Sequence, residues 1–105
     1  MVSVPAQGEI WRFEPEDDKS RPVLIVSRSG IISSMRRVVV VPVTRTMRQL
    51  RTEIPLGPEE GLPVECVASF DNIRTVKRSL LTTRVGYLDL AAPKICAALA
   101  ALADC

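Results

Sequence analysis

The chain has 105 residues, with 14 Lys plus Arg, 12 Asp plus Glu, no His, a formal charge of +2 and a 47% apolar set. That is enough for one domain over residues 1–105 and too little for two. The missing histidine excludes an imidazole acid/base pair, a His-based nucleophile triad and every zinc pattern built on His.

In chain order, the opening MVSVPAQGEI lacks the basic and continuous apolar regions of a signal peptide. No apolar run reaches the roughly 20 residues that span a bilayer, so no membrane association and a cytoplasmic location are expected. Residues 7–13, QGEIWRF, read as a strand followed by the acidic, Pro-containing loop EPEDDKS. RPVLIVS (21–27) is too short for a helix and rich in β-branched residues, which makes it a buried strand with Pro22 at its start. Residues 27–37 read as a loop, and VVVVPVT (38–44) is the strongest β run. Pro42 predicts that this run ends, bulges or lies at an edge there.

RTMRQL (45–50) is too short for an independent helix, RTEIPL (51–56) resumes a strand pattern, GPEEGLP is a turn, and a further strand is expected over 66–72. Short links without helical crossovers predict a mainly β, antiparallel barrel or curled sheet. At the end, Asp89 is placed to cap a turn. Pro93 then falls in the first turn of a helix whose Ile95, Leu99 and Leu102 share one face. One side of that Ala-rich helix covers the barrel and the other meets a second subunit, unless the terminal helix is buried completely. Cys66, Cys96 and Cys105 stand at wide, unmatched spacings, which fits a reducing compartment, with the first two as small buried side chains and Cys105 as an exposed thiol.

The modest net charge hides alternation: −3 over 1–20, +6 over 21–58, −4 over 59–72 and +3 over 73–105. Arg21, Arg28, Arg36, Arg37, Arg45, Arg48 and Arg51 form one cationic stretch; Arg74, Lys77, Arg78 and Arg84 form another. The two stretches either converge into a polyanion groove or are scattered solvating groups. Trp11, Phe13, Phe70 and Tyr87 are the whole aromatic set. Trp11 and Phe70 are expected in the core or an interface, so a nucleic acid would be held by cations and loop shape more than by base stacking. There is no phosphate-binding loop, dinucleotide fingerprint or calcium loop.

The ordered set GEIWRF, RPVLIVS, VVVVPVT and DNIRTVKRSLLTTRVGYLD resembles the MazF/PemK family of toxin endoribonucleases. The resemblance implies a compact SH3-like, PemK-like barrel with short helices and a C-terminal helix, assembled as a homodimer. It implies sequence-selective, metal-independent cleavage of single-stranded RNA, leaving 2′,3′-cyclic phosphate and 5′-OH ends, with no cofactor. It also implies inhibition by a cognate antitoxin that occupies the substrate groove, and no DNA contact by the toxin alone. The family's catalytic arginine and threonine fall on Arg21 and Thr44. The expected roles of Arg21 are to orient and stabilise the phosphoryl group and to take part in proton transfer, although a guanidinium is a poor general base, and Thr44 is expected to donate a hydrogen bond to a phosphate oxygen.

Arg28, Arg45, Arg48 and Lys77 are candidate RNA contacts by charge, and Ser69, Asn72 and Arg74 by their place in the DNIRT region. The structural alternatives are that Arg21 pairs with the 14–18 acidic loop and that Thr44 closes a strand through backbone bonds. The loop before Arg21 is shorter and more acidic than the family pattern, which bears on gating and substrate preference. The alternative function is a non-catalytic RNA-binding or toxin–antitoxin association module, against which the joint presence of Arg21 and Thr44 argues.

Overall fold

A computed structural model describes residues 4–103; Cys105 lies outside them. β1 (Glu9–Phe13), β2 (Arg21–Ile25) and β3 (Arg37–Thr44) form a consecutive antiparallel set, with Ile10 opposite Leu24 and Leu24 opposite Val41. The apolar runs are continuous because both faces of these strands are covered. Ile10, Leu24 and Val41 pack on one side with Ile54, Leu56, Phe70, Leu88 and Ile95. Trp11, Val23, Ile25, Val38 and Val40 pack on the other with Phe13, Ile32, Val76 and Leu81. The indole N–H of Trp11 is satisfied by Glu9 Oε1 at 3.0 Å.

β4 (Glu53–Leu56), β5 (Cys66–Ser69), β6 (Arg74–Lys77) and β7 (Leu81–Tyr87) complete the sheet in the order β4-β5-β3-β2-β1-β7, with β6 paired to β3. Every pairing is antiparallel, as the short links predict. Together with the C-terminal helix packed on its first core cluster, this is the curled, mainly β half-barrel expected from the sequence.

Pro42 is neither a terminus nor an edge. Val26 N and Ser27 N donate to Val39 O, and Val39 N donates to Ser27 Oγ, so odd-numbered residues of β3 aim their backbone at β2 and its flank. Even-numbered residues then face the other side, by the alternation of a strand. There β3 pairs with β6 through Val40 and with β5 from Val43, so the missing N–H of Pro42 falls between two partners.

Four other expectations are corrected. Residues 27–37 contain a one-turn helix, α1 (Ser29–Ile32), held by complete burial of Ile32. The strand expected over 66–72 stops at Ser69 and turns through a 3₁₀ segment, Phe70–Asn72, as Phe70 N bonds Thr52 O and Ile73 N bonds Phe70 O. In α2 (Ala91–Ala103) the buried residues are Ile95 and Ala98, with Leu99 half-buried. Leu102 in the last turn is 38% exposed. Cys96, one position around the helix from Ile95, is exposed, whereas Cys66 is buried as expected.

The 57–63 turn docks on β7 through two glycines. Gly61 has φ +91°, and a Cβ there would lie 2.5 Å from Val85 O; a Cβ on Gly86 would meet the carbonyl of Glu60. Gly61→Ala is therefore expected to lower stability by roughly 2 kcal/mol, read as a reduced urea midpoint at unchanged slope.

Candidate active site

Strand register decides which side chains meet. Val23 lies opposite Pro42, and continuing that register by two residues sets Arg21 opposite Thr44. Both side chains then share the face of Val23 and Val40, because alternate residues of a strand point the same way. Val67 pairs with Thr44, and Glu53 pairs with Ser69. Arg74 lies opposite Val40 on the same face. These residues and the adjacent loops line a groove of about 600 Å³ that contains Arg21, Thr44, Arg45, Arg48, Ser69, Asn72 and Arg74.

Within it, Arg21 Nη2 lies 3.4 Å from Asp18 Oδ2, with the two side chains 39% and 59% exposed. The acidic loop thus holds the arginine across an exposed, weak contact. Thr44 Oγ1 accepts a hydrogen bond from Thr46 N at 3.2 Å, which leaves its own O–H to donate. Both structural alternatives are realised without occupying either residue fully. Asn72 Nδ2 donates to Ser69 Oγ at 3.2 Å, fixing the amide against a buried hydroxyl.

Two sequence candidates lie elsewhere. Thr44 stands at one end of β3 and Arg37, which pairs with Lys77, at the other. Arg28 precedes α1, beyond the end of β2 that pairs with Val40. Lys77 lines a separate cavity of about 720 Å³. The groove also holds residues that the sequence reading passed over: Lys19, Ser20, Thr46 and Glu53. Glu53 carried a signal, as the lone acid within 21–58. Its carboxylate accepts Arg48 N at 2.9 Å and Leu50 N at 3.3 Å, folding the loop that presents Arg48 around Gln49, whose φ is +58°. Lys19, Arg21, Arg45, Arg48 and Arg74 face the groove with Glu53 as the one carboxylate lining it.

A smaller cavity of about 240 Å³ lies against the same end of β3, sharing Val43, Thr44 and Arg45 and lined further by Pro22, Leu62, Val64 and Cys66. Burial pushes the Cys66 thiol up, Glu60 adds to the rise, and Arg45 opposes it. No three His, Cys, Asp or Glu side chains converge to hold a metal ion among the described residues.

A family model described as "PemK-like, MazF-like toxin of type II toxin-antitoxin system" matches residues 6–103. The chain belongs to the MazF/PemK toxin family. It is 36% identical over 107 residues to a probable endoribonuclease, MazF5, of Mycobacterium tuberculosis, covering 100% of this chain and 98% of that one. The M. tuberculosis toxin MazF-mt6 has the same fold with a TM-score of 0.83 at 34% identity, covering 91% of this chain and 96% of that one. A mycobacterial endoribonuclease solved in complex with its cognate antitoxin matches with a TM-score of 0.78 at 31% identity, over 94% and 95% of the two chains. This MazF/PemK member therefore carries its groove on the family's fold.

One outcome follows from the groove's electrostatics and one from the burial of the two cysteines. Asp18→Asn releases Arg21 from an exposed pair worth at most about 1 kcal/mol, so RNA affinity at low salt is expected to rise no more than roughly fivefold. Titration of RNA binding against ionic strength checks this, the gain shrinking as salt increases. Alkylation at mildly alkaline pH, mapped by mass spectrometry, is expected to modify exposed Cys96 and spare Cys66 until the protein unfolds. Because the folded-state pKa of Cys66 is raised, its contribution to stability is complete below the ordinary thiol pKa and is lost as pH rises past it.

Proposed function

We propose that this MazF/PemK member is a metal-independent endoribonuclease toxin that cleaves single-stranded RNA in the cytoplasm and is restrained by a cognate antitoxin. The observation that carries this reading is the placement of Arg21 opposite Thr44 in a groove rich in cations. In the reaction, the ribose 2′-oxygen attacks phosphorus and the bond to the 5′-oxygen breaks, giving a 2′,3′-cyclic phosphate. The 2′-OH gives up its proton, and the departing oxygen gains one to become 5′-OH.

Negative charge grows on the non-bridging phosphate oxygens in the transition state. Arg21 supplies N–H donors and a fixed positive charge there, and Thr44 O–H donates a further bond. Arg45, Arg48 and Arg74 hold the flanking phosphates, while Ser69 and Asn72 offer donors and acceptors to a base edge. Glu53, already bonded to Arg48 N and Leu50 N, is assigned to holding the loop. The protein acts as a homodimer in this reading, supported by exposed Met47, Leu50 and Val64 beside the groove and the smaller cavity.

Arg21→Ala and Thr44→Ala are each expected to reduce kcat on RNA at least about 100-fold with unchanged thermal unfolding. Mapping of new 5′-OH ends on diverse RNAs, with and without excess EDTA, tests the chemistry. Wild-type rates in both folded variants, or cleavage abolished by EDTA and restored by a divalent ion, would overturn it. Binding without cleavage by the wild type would point to the association-module alternative.

A further inference from the structure

The cavity of about 720 Å³ at the opposite end of β3 from Thr44 is not part of the groove. It is lined by Arg36, Arg37, Lys77 and Arg78 with the hydroxyls of Ser33 and Ser79. No carboxylate lines it, and none of the four cations makes an ion pair among the described residues. The contrast with the groove is direct, since there Arg21 is held by Asp18 and a carboxylate sits in the wall.

The cleft is also built. Arg78 Nη1 donates to Ile32 O and Ser33 O, both at 2.8 Å, and Arg78 N donates to Arg36 O at 2.8 Å. One guanidinium is thereby fixed in place, and the segment after α1 is laced to the segment after β6. Arg36, Arg37 and Lys77 are exposed around it. Like charges gathered without counter-charges repel one another, so a surface that keeps four of them together gains most from an anionic ligand.

The two cationic regions are joined by β6. Arg74 lines the groove and Lys77 the cleft, roughly 10 Å apart along the strand. Odd spacing sends them to opposite faces, but β6 pairs only with β3 in the sheet and leaves its other side as an edge. An extended polyanion leaving the groove over that edge meets Arg74 first and Lys77 next. No aromatic side chain lines the cleft, so it offers phosphate contacts without base stacking.

We infer that this cleft is a second, sequence-independent binding site for the phosphodiester backbone of the RNA strand that occupies the groove. The inference rests on the groove being an RNA site, and the link between the two through β6 favours RNA over an acidic polypeptide. The cleft adds affinity for long RNA without touching the reacting phosphate.

The test is equilibrium binding, by fluorescence anisotropy over a range of NaCl, of a long 2′-O-methyl RNA and of one too short to reach from Thr44 to Lys77. Such RNA has no free 2′-OH and cannot be cleaved, so this measurement stands or falls separately from the cleavage chemistry. The double variant Arg36→Gln/Arg37→Gln is expected to bind the long RNA roughly tenfold more weakly, with the slope of log K against log salt reduced by about 1 to 1.5. Binding of the short RNA stays unchanged, and Arg36→Lys/Arg37→Lys restores the slope. Unchanged affinity for the long RNA overturns the inference, as does an equal loss for both RNAs.

Discussion

The register between β2 and β3 is the constraint on which the rest depends. Both strands are covered on both faces: Leu24 and Val41 belong to one core cluster, and Val23, Ile25, Val38 and Val40 to the other. A slip of one residue would carry each side chain to the wrong cluster, where volumes and neighbours differ. Arg21 and Thr44 sit at the open ends of these strands, beyond the last tightly packed pair, Val23 and Pro42. Their mutual placement is thus fixed by core packing several residues away. An exposed ion pair or loop contact could not fix it as firmly, because each contributes at most about 1 kcal/mol.

β3 also divides the molecule's charged surface. Its Val40 end pairs with β6 and its Thr44 end with β5, and the change of partner falls at Pro42. A proline there removes a donor that neither neighbour is placed to use, and the sheet can curl between the two pairings. That curl lets Ser69 and Glu53 approach from β5 and β4 while Arg74 approaches from β6. One strand therefore gathers groove residues from four others. Its far end carries Arg37 opposite Lys77 and a cationic cleft of different character.

Much of this was legible in the sequence where burial leaves a compositional trace. The runs VLIV and VVVV name their strands because two-sided burial demands β-branched and aliphatic residues without interruption. The motif positions of Arg21 and Thr44 could be read along the chain, and the groove they line follows from antiparallel pairing. What escaped depended on contacts distant in sequence. The helical turn at Ser29–Ile32 is set by burying Ile32 against strands on either side, with no side-chain cap to announce it. The exposure of Cys96 depends on which face of the helix, set by Ile95 and Ala98, meets the core, and Leu102 lies in the last turn. Arg28 and Lys77 were grouped with the groove by charge, but charge along a chain does not say to which end of a strand a residue is returned.

The lack of histidine acquires a physical meaning in this geometry. With no imidazole to shuttle a proton near neutral pH, and with Glu53 engaged by two backbone N–H groups, the phosphoryl reaction proposed for this groove would draw chiefly on charge stabilisation. The groove is arranged for that: Arg21 and Thr44 line it together, with three further arginines around them. Preorganised donors act most strongly where charge develops in the transition state, and they require no proton to be taken up or released by the protein. On this reading the reaction should depend on pH mainly through the substrate's own hydroxyl. It should depend steeply on salt, which competes for the same phosphates. An acidic loop that touches Arg21 by one exposed contact fits such a site, since it tempers the field when the groove is empty and yields to a phosphodiester that offers more oxygens.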